Sequence, residues 1–330
     1  MTARTRTFRI AALGAAVVLA ATACSGGGRE KTDESDTGGG NAAGSSGYTI
    51  AFITHETPGD TFWDKVKNGA NQAAKDTGVT LKYSNDPEAP KQAVLIQNAV
   101  DSKVNGIATT LVTPDALAGA VKAATDAKIP VVGFNSGIND YQRLGALMYF
   151  GSDETLAGTE AGKRLAEQGS KHPLCVIQQT GSVALEARCA GVKSSVPGTE
   201  NIQVNGADDA AVTSTLQAKL AQDKSIDSIV TLGAPQALDA IKARQQSGSQ
   251  AKLVTFDLNE QAATEIKSGN ILFSIDQQPY VQGYMAVTSL YLNLKNGNDI
   301  GGGKAVLTGP SFVDSTNIDK ILPFTKNNTR

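Results

Sequence analysis

From Tyr48 onward, short β-branched runs take turns with stretches whose apolar residues recur every three or four positions. The first half reads as strand YTIAFIT, helix 61–77, strand VTLKYS, helix 90–102, strand GIATTLV, helix 114–126 and strand PVVGF. After Asp153 the rhythm resumes with a helix to residue 168, strand LCVIQQ, helix 187–195 and strand NIQVNG. Helix 210–223, strand SIVTLG, helix 235–247, strand KLVTFD, a helix from Glu260, strand ILFSID and a helix from Pro279 complete the series. Alternation of this length predicts an α/β fold of parallel sheets covered by helices on both faces.

A weak internal echo points to two similar domains, and the roughly 280 residues from Tyr48 are enough for both. TPDALAGAVKAA…IPVVGFN and APQALDAIKAR…AKLVTFD share a proline helix start, an Ala-Leu pair and a strand closing in Phe-Asn or Phe-Asp. The alignment needs one gap. It puts Asn135 and Asp257 in equivalent places, at the carboxyl ends of strands, where open α/β sheets bind ligands.

Ahead of Tyr48 the pattern changes. Arg4, Arg6 and Arg9 precede an uncharged apolar run too short for a stable bilayer span, so residues 1–23 are expected to be a signal peptide. It closes in LAATACSGGG, which resembles a bacterial lipobox with Cys24 as the lipidated residue, although Ala21 stands where that pattern prefers Leu. The alternative is a plain secretory signal with an incidental cysteine. Residues 24–47 carry Gly, Ser and charge without apolar period and are expected to be a flexible tether. The folded part is therefore expected at the extracytoplasmic face of the bacterial cell membrane.

Thirty basic residues, less those three arginines, against 32 acidic ones leave a net charge of −5. With no basic patch or basic helix, a nucleic-acid partner is not expected. His55 and His172 are the only histidines, which excludes a His-rich metal site, and no cofactor is expected. No Gly-rich phosphate loop follows a strand and no Ser/His/Asp or Cys/His set is evident, so an enzyme is not expected either. Outside the cytoplasm, Cys175 and Cys189 are either a disulfide, worth about 3 kcal/mol, or two small buried apolar residues.

Candidate chemistry concentrates at strand ends. In GDTFWDKVKNGA, Thr61 and Asp64 stand at capping-box spacing, so the helix is expected to start there. Phe62, Val66, Gly69, Ala70 and Ala73 form its apolar stripe. Trp63, the one tryptophan, lies about 100° off that stripe beside Lys67, so the indole is expected to leave the core. Its flat apolar face suits the C–H face of a sugar ring, whose hydroxyls want carboxylates, amides and arginine. Each companion has a plainer reading. Phe62 serves as core, Asp60 as a helix N-terminal charge, Asn135 as a turn residue, Asp257 as a cap, Arg188 as a surface charge and Gln277 as linker.

From Tyr48 to about Phe312 the chain resembles the type I periplasmic sugar-binding proteins, the ribose/galactose-binding group of ABC-importer receptors. The resemblance rests on Asp60, Phe62 and Trp63 around the first helix start, Arg188 at another, Asp257 in TFDLN and Gln277 before a Pro-initiated helix. It implies two doubly wound parallel-sheet domains joined by three hinge crossings, near 150–151, 277–279 and 312–314. The N-terminal lobe would then hold 48–149 and 279–311, and the C-terminal lobe 150–278 and 312–330. Asp60, Phe62, Trp63, Asn135, Arg188, Asp257 and Gln277 would bind the ligand, with His55 as a replacement contact. A small neutral sugar or polyol, ABC permease and ATPase subunits and a monomeric state follow from the resemblance, with the membrane reached through the lipid anchor only.

Three positions depart from the family. Asn135-Ser136 stands where ribose binders show Asp-Arg, a second-lobe aromatic falls near Ala207-Asp208, and the asparagine of a QND loop falls at Gly233. These argue against plain ribose and leave another pentose or hexose, a cyclitol or a linear polyol. The alternatives are a sensor receptor for a furanose-like signal, feeding a membrane signalling partner, and a sugar acid clamped by Arg188.

Overall fold

The computed structural model describes residues 44–330, so the signal segment, Cys24 and most of the tether lie outside the described residues. The chain opens with β1 (Thr49–Thr54), α1 (Phe62–Thr77), β2 (Thr80–Asn85), α2 (Ala89–Asp101), β3 (Gly106–Thr110) and α3 (Pro114–Asp126). β4 (Val131–Phe134), α4 (Tyr141–Leu144), β5 (Met148–Ser152), α5 (Glu154–Glu167), β6 (Pro173–Ile177) and α6 (Val183–Ser195) follow. Next come β7 (Glu200–Gln203), α7 (Asp209–Gln222), β8 (Ser228–Thr231), α8 (Ala234–Ser247), β9 (Lys252–Phe256) and α9 (Glu260–Lys267). β10 (Phe273–Asp276), α10 (Pro279–Asn296), β11 (Val306–Gly309), β12 (Ser311–Asp314) and α11 (Ile318–Lys326) complete the chain.

The strands form two six-stranded sheets with the same plan, β2-β1-β3-β4-β5-β11 and β7-β6-β8-β9-β10-β12. Pairing is parallel except between β10 and β12. Central strands such as β3 are buried at every residue, whereas the edge strands β2 and β7 alternate, as expected where one face meets solvent. The period of two divides each core. Ile50 and Phe52 pack on one face of the first sheet and Ala51 and Ile53 on the other, and in the second sheet Leu174 and Val176 part from Cys175 and Ile177 in the same way. A disulfide joins Cys175 of β6 to Cys189 of α6.

The short α4, β5, β11, β12 and α11 were not expected from the sequence. β5 follows a helix of only four residues, and β11 and β12 are four residues each and partly exposed. They matter for the crossings. Because β5 runs to Ser152, the chain leaves the first sheet at Asp153, a few residues later than the expected 150–151. The third crossing falls at Pro310, between β11 and β12, ahead of the expected 312–314. The second lies at Gln277–Gln278, between β10 and α10.

Two helix pairs pack closely enough to need glycine. A Cβ on Gly69 of α1 would lie 2.0 Å from the Tyr280 carbonyl oxygen of α10, and one on Gly283 would lie 2.0 Å from that of Val66. In the second lobe a Cβ on Gly158 of α5 would lie 2.0 Å from the Arg188 carbonyl oxygen of α6. Gly158→Ala is therefore expected to lower unfolding free energy by about 1–3 kcal/mol. Gly119→Ala, on exposed α3 with nothing within 4 Å, is expected to raise it by about 0.5–1 kcal/mol. Urea titration of the two variants checks the pair.

Candidate functional site

The carboxyl ends of both sheets face one another across a cleft that encloses a cavity of about 60 Å³. His55 and Thr57 after β1, Asp60, Phe62 and Trp63 around the start of α1, and Asn135 after β4 line it from the first lobe. Gln178 and Gln179 after β6, Arg188 of α6, Gly206, Gln236 of α8, Asp257 after β9 and Gln277 after β10 line it from the second. All eight residues expected to contact ligand thus border one cavity.

Asn135 and Asp257 hold the equivalent backbone positions that the internal echo suggested. Their φ angles are 64° and 65°, in the left-handed region that Asn and Asp tolerate best among residues with a side chain. Each extends its strand by one bond to the neighbouring strand, Asn135 N–H to the Phe150 carbonyl at 2.9 Å and Asp257 N–H to that of Ile275 at 3.0 Å. The side chain of a left-handed residue turns out of the strand's alternation, and here both turn into the cavity.

The start of α1 differs from expectation. Thr61 makes no side-chain cap, and the capping box with Asp64 is not formed. Asp60 caps instead, its Oδ1 accepting from Phe62 N–H at 3.0 Å. Trp63 is only 3% exposed and belongs to the first lobe's core cluster, so the indole does not leave the core. Because the opposite lobe covers the first turn of α1, the direction off the stripe leads into the cleft rather than to solvent. Trp63 meets Phe62 and His55 edge-on, with ring centres 5.1 and 4.8 Å apart.

Arg188 is buried, not a surface charge. Its Nε donates to Glu154 Oε2 at 2.6 Å and its Nη1 to the Leu232 carbonyl at 3.1 Å, and the guanidinium lies 4.6 Å from the centre of the Phe256 ring. Opposite stands Asp257, whose Oδ1 accepts from Gln277 Nε2 at 2.8 Å. Burial pushes the Asp257 carboxyl up to about 7, with Arg188 holding it back, and burial pushes Asp60 up to about 6. His55 goes the other way, to about 3, through burial and then the nearby Arg188 charge. Its ring is neutral, with Nδ1 2.8 Å from Thr110 Oγ1. Gln92 Nε2 lies 3.0 Å from that same hydroxyl and 2.8 Å from the Thr110 carbonyl.

The cavity is tied to the crossings. Thr308 Oγ1 donates to the Gln277 carbonyl at 2.7 Å, Gln282 Nε2 donates to the same carbonyl at 3.2 Å, and Asn135 Nδ2 donates to Gln282 Oε1 at 3.3 Å. Across the cleft, Val183 N–H reaches the Val112 carbonyl at 3.2 Å, Gln179 Nε2 that of Pro87 at 3.4 Å, and Asn259 Nδ2 the Thr61 hydroxyl at 3.5 Å. Asn68 Nδ2 of α1 also donates to the Asn328 carbonyl of the second lobe at 3.1 Å, and the lobes are closed on each other.

Sequence reasoning missed several residues here. Glu154, Gln178, Gln236 and Lys65 were not singled out from the sequence. Lys65 is fully buried beneath Asp60 and Asp257, donating to the Thr61 carbonyl at 3.1 Å. Lys65 and Gln178 carried a readable signal, Lys65 within one turn of Trp63 and Gln178 at the carboxyl end of the expected strand LCVIQQ. Among the described residues, His172, Glu200 and Asp223 cluster as metal ligands would, but Lys219 already lies 2.8 Å from Glu200 and supplies the cation there.

Residues 50–299 match the family of periplasmic binding protein domains, and the chain belongs to that family. A crystal structure of a carbohydrate transporter from Acidothermus cellulolyticus 11B, in complex with myo-inositol, is 54% identical. It superposes with a TM-score of 0.85, covering 86% of this chain and 99% of that one. The xylose/arabinose-binding protein XylF of Sulfolobus acidocaldarius is 25% identical over 305 residues, 83% of this chain and 73% of its own. The ribose import binding protein RbsB of Haemophilus influenzae is 25% identical over 261 residues, 76% of this chain and 86% of its own. XylF and RbsB are by name sugar-binding proteins.

The raised carboxyls predict how the ligand-free protein responds to pH. Asp257 and Asp60 bind protons more tightly folded than unfolded, so stability falls as pH rises from about 4 toward 7. Asp223, Asp227 and Asp314, held low, titrate below that window. His55, held neutral when folded, works against these carboxyls as pH falls through its ordinary value. The melting temperature is therefore expected to rise only modestly from pH 8 to pH 6, and Asp257→Asn to abolish that rise in a fluorimetric melt.

Proposed function

We propose that this chain is the extracytoplasmic solute-binding lipoprotein of an ABC importer, and that it takes one monosaccharide or sugar alcohol into the cleft by hinge closure. The observation that carries the reading is the convergence of Trp63, two carboxylates, Arg188 and five amides from both lobes on one small cavity. An indole offers a ring its apolar partner, and the polar groups answer hydroxyls. The cavity is small and walled by both lobes, which disfavours an oligosaccharide. The relative at 54% identity holds myo-inositol, and a cyclitol is accordingly the first candidate.

A sugar acid is disfavoured. Glu154 already neutralises Arg188, and a ligand carboxylate would enter beside Asp60 and Asp257, both raised by burial. A neutral ligand brings hydroxyl protons that those carboxylates accept, which favours their ionised form.

Trp63→Ala and Asp257→Ala are each expected to weaken binding of the best sugar or cyclitol at least tenfold without unfolding the protein. Wild-type affinity should rise between pH 5.5 and 8 as Asp257 ionises. Calorimetry over that range, with quenching of Trp63 as a second readout, checks both, and unchanged affinity in both variants would sink the cleft assignment. For the anchor, Cys24→Ser is expected to move the protein from the membrane fraction to the soluble one.

A further inference from the structure

The second lobe faces the cavity with amides. Gln178 leaves the end of β6 and Gln236 sits in the first turn of α8, and both line the cavity. Two glycines make room for them. A Cβ on Gly206 would lie 2.8 Å from Gln178 Cβ and 3.1 Å from its Cγ, so the stem of Gln178 lies flat on the Gly206 backbone. A Cβ on Gly233 would lie 2.6 Å from Gln236 Oε1 and 3.2 Å from Gln178 Nε2, so the two amide heads fill the space above Gly233. A side chain at either position would push the amides out of place.

These amides are under-used by the protein. Gln178 Oε1 is buried with no partner among the described residues. Gln236 is 5% exposed, and its Nε2 has one contact, 3.5 Å from the Gly206 carbonyl, at the limit of a hydrogen bond. Leaving such groups dry and unpaired is unfavourable, and a ligand group that satisfies them is selected over one that does not. An amide carries an acceptor and two donors on one head, so it matches a hydroxyl whichever way its proton points. An aromatic wall would match a C–H face instead.

We propose that Gln178 and Gln236 are the specificity-determining pair of this site. They read the orientation of hydroxyls on a polyhydroxylated ring from the second lobe, while Trp63 takes a C–H face from the first. The proposal rests on the sugar or polyol reading above. A ring whose hydroxyl points at the amides is retained, and an epimer that presents a hydrogen there leaves both heads unpaired. Gly206 and Gly233 belong to the same device, because they hold the amides at the cavity wall.

The test compares wild type with Gln178→Met and Gln236→Met, which keep volume and remove the hydrogen-bonding head. Calorimetry would use myo-inositol with scyllo-inositol and D-chiro-inositol, each inverted at one hydroxyl, and the C4 epimers D-xylose and L-arabinose. The expected result is a wild-type preference between epimers that shrinks at least tenfold in each variant, with the ligand-free melting temperature unchanged. An unchanged epimer ratio overturns the proposal, and so does an equal loss of affinity for every epimer, which would mark a structural role. A wild type that binds none of the five overturns the polyol reading itself, whereas wild-type binding with unaltered variant selectivity overturns only the role of the amides.

Discussion

A guanidinium without water is the constraint on which the cleft depends. Arg188 is 3% exposed, and a charge so placed is tolerated only with a close partner and further hydrogen bonds. Glu154 supplies the partner from the first turn of α5, just past the first crossing, and the Leu232 carbonyl and Phe256 ring supply the rest. The pairing needs α5 and α6 in near backbone contact, which Gly158 permits, while the disulfide fixes the residue after Arg188 to β6. This charge adds to what burial does to its neighbours. His55 is kept neutral partly by it, and Asp257 would be higher still without it.

The two lobes share one plan and use it differently. Asn135 and Asp257 occupy the same left-handed position after equivalent strands, yet one carries an amide and the other a carboxyl. The first lobe gives the cavity its apolar face through Phe62 and Trp63, whereas the second gives it Arg188 and the amides. Repetition fixes where side chains point, and substitution at those points makes the site asymmetric. Gln282 and Thr308 then fasten both halves to the crossing at Gln277, so the geometry of the site and of the hinge is set by one polar cluster.

Much of this was legible in the sequence because it is local. Strand–helix alternation, the paired strand ends at Asn135 and Asp257, and the aromatic pair opening α1 are all written within short windows. Phe62 shows the limit of choosing between readings, since it is core and cavity wall at once. Trp63 was placed off the core because helical periodicity describes one helix against one neighbour, and the second lobe that covers its first turn is more than a hundred residues away. Glu154 was illegible for a related reason. Nothing in its window distinguishes an exposed first-turn acid from the partner of an arginine 34 residues later. Asp60 rather than Thr61 caps α1 because the loop's path, not the spacing of residue types, decides which oxygen reaches the Phe62 N–H.

The closed arrangement carries its own instability. Asp60 and Asp257 have carboxyls raised by burial, and Gln178 and Gln277 hold buried oxygens with no partner among the described residues. Against this stand few lobe-to-lobe bonds, of 3.2, 3.4 and 3.5 Å across the cleft and an exposed one of 3.1 Å from Asn68 Nδ2 to the Asn328 carbonyl, too few and too weak to offset much. Opening the lobes would return water to every one of these groups. A ligand shifts the balance only through what it adds to the closed state and not to the open one. Hydroxyls that donate to the carboxylates and amides do that, and a C–H face laid on Trp63 adds apolar burial that water cannot supply. Selectivity and closure therefore have the same source, because a molecule that leaves one of these acceptors unpaired also leaves the lobes with less reason to stay shut.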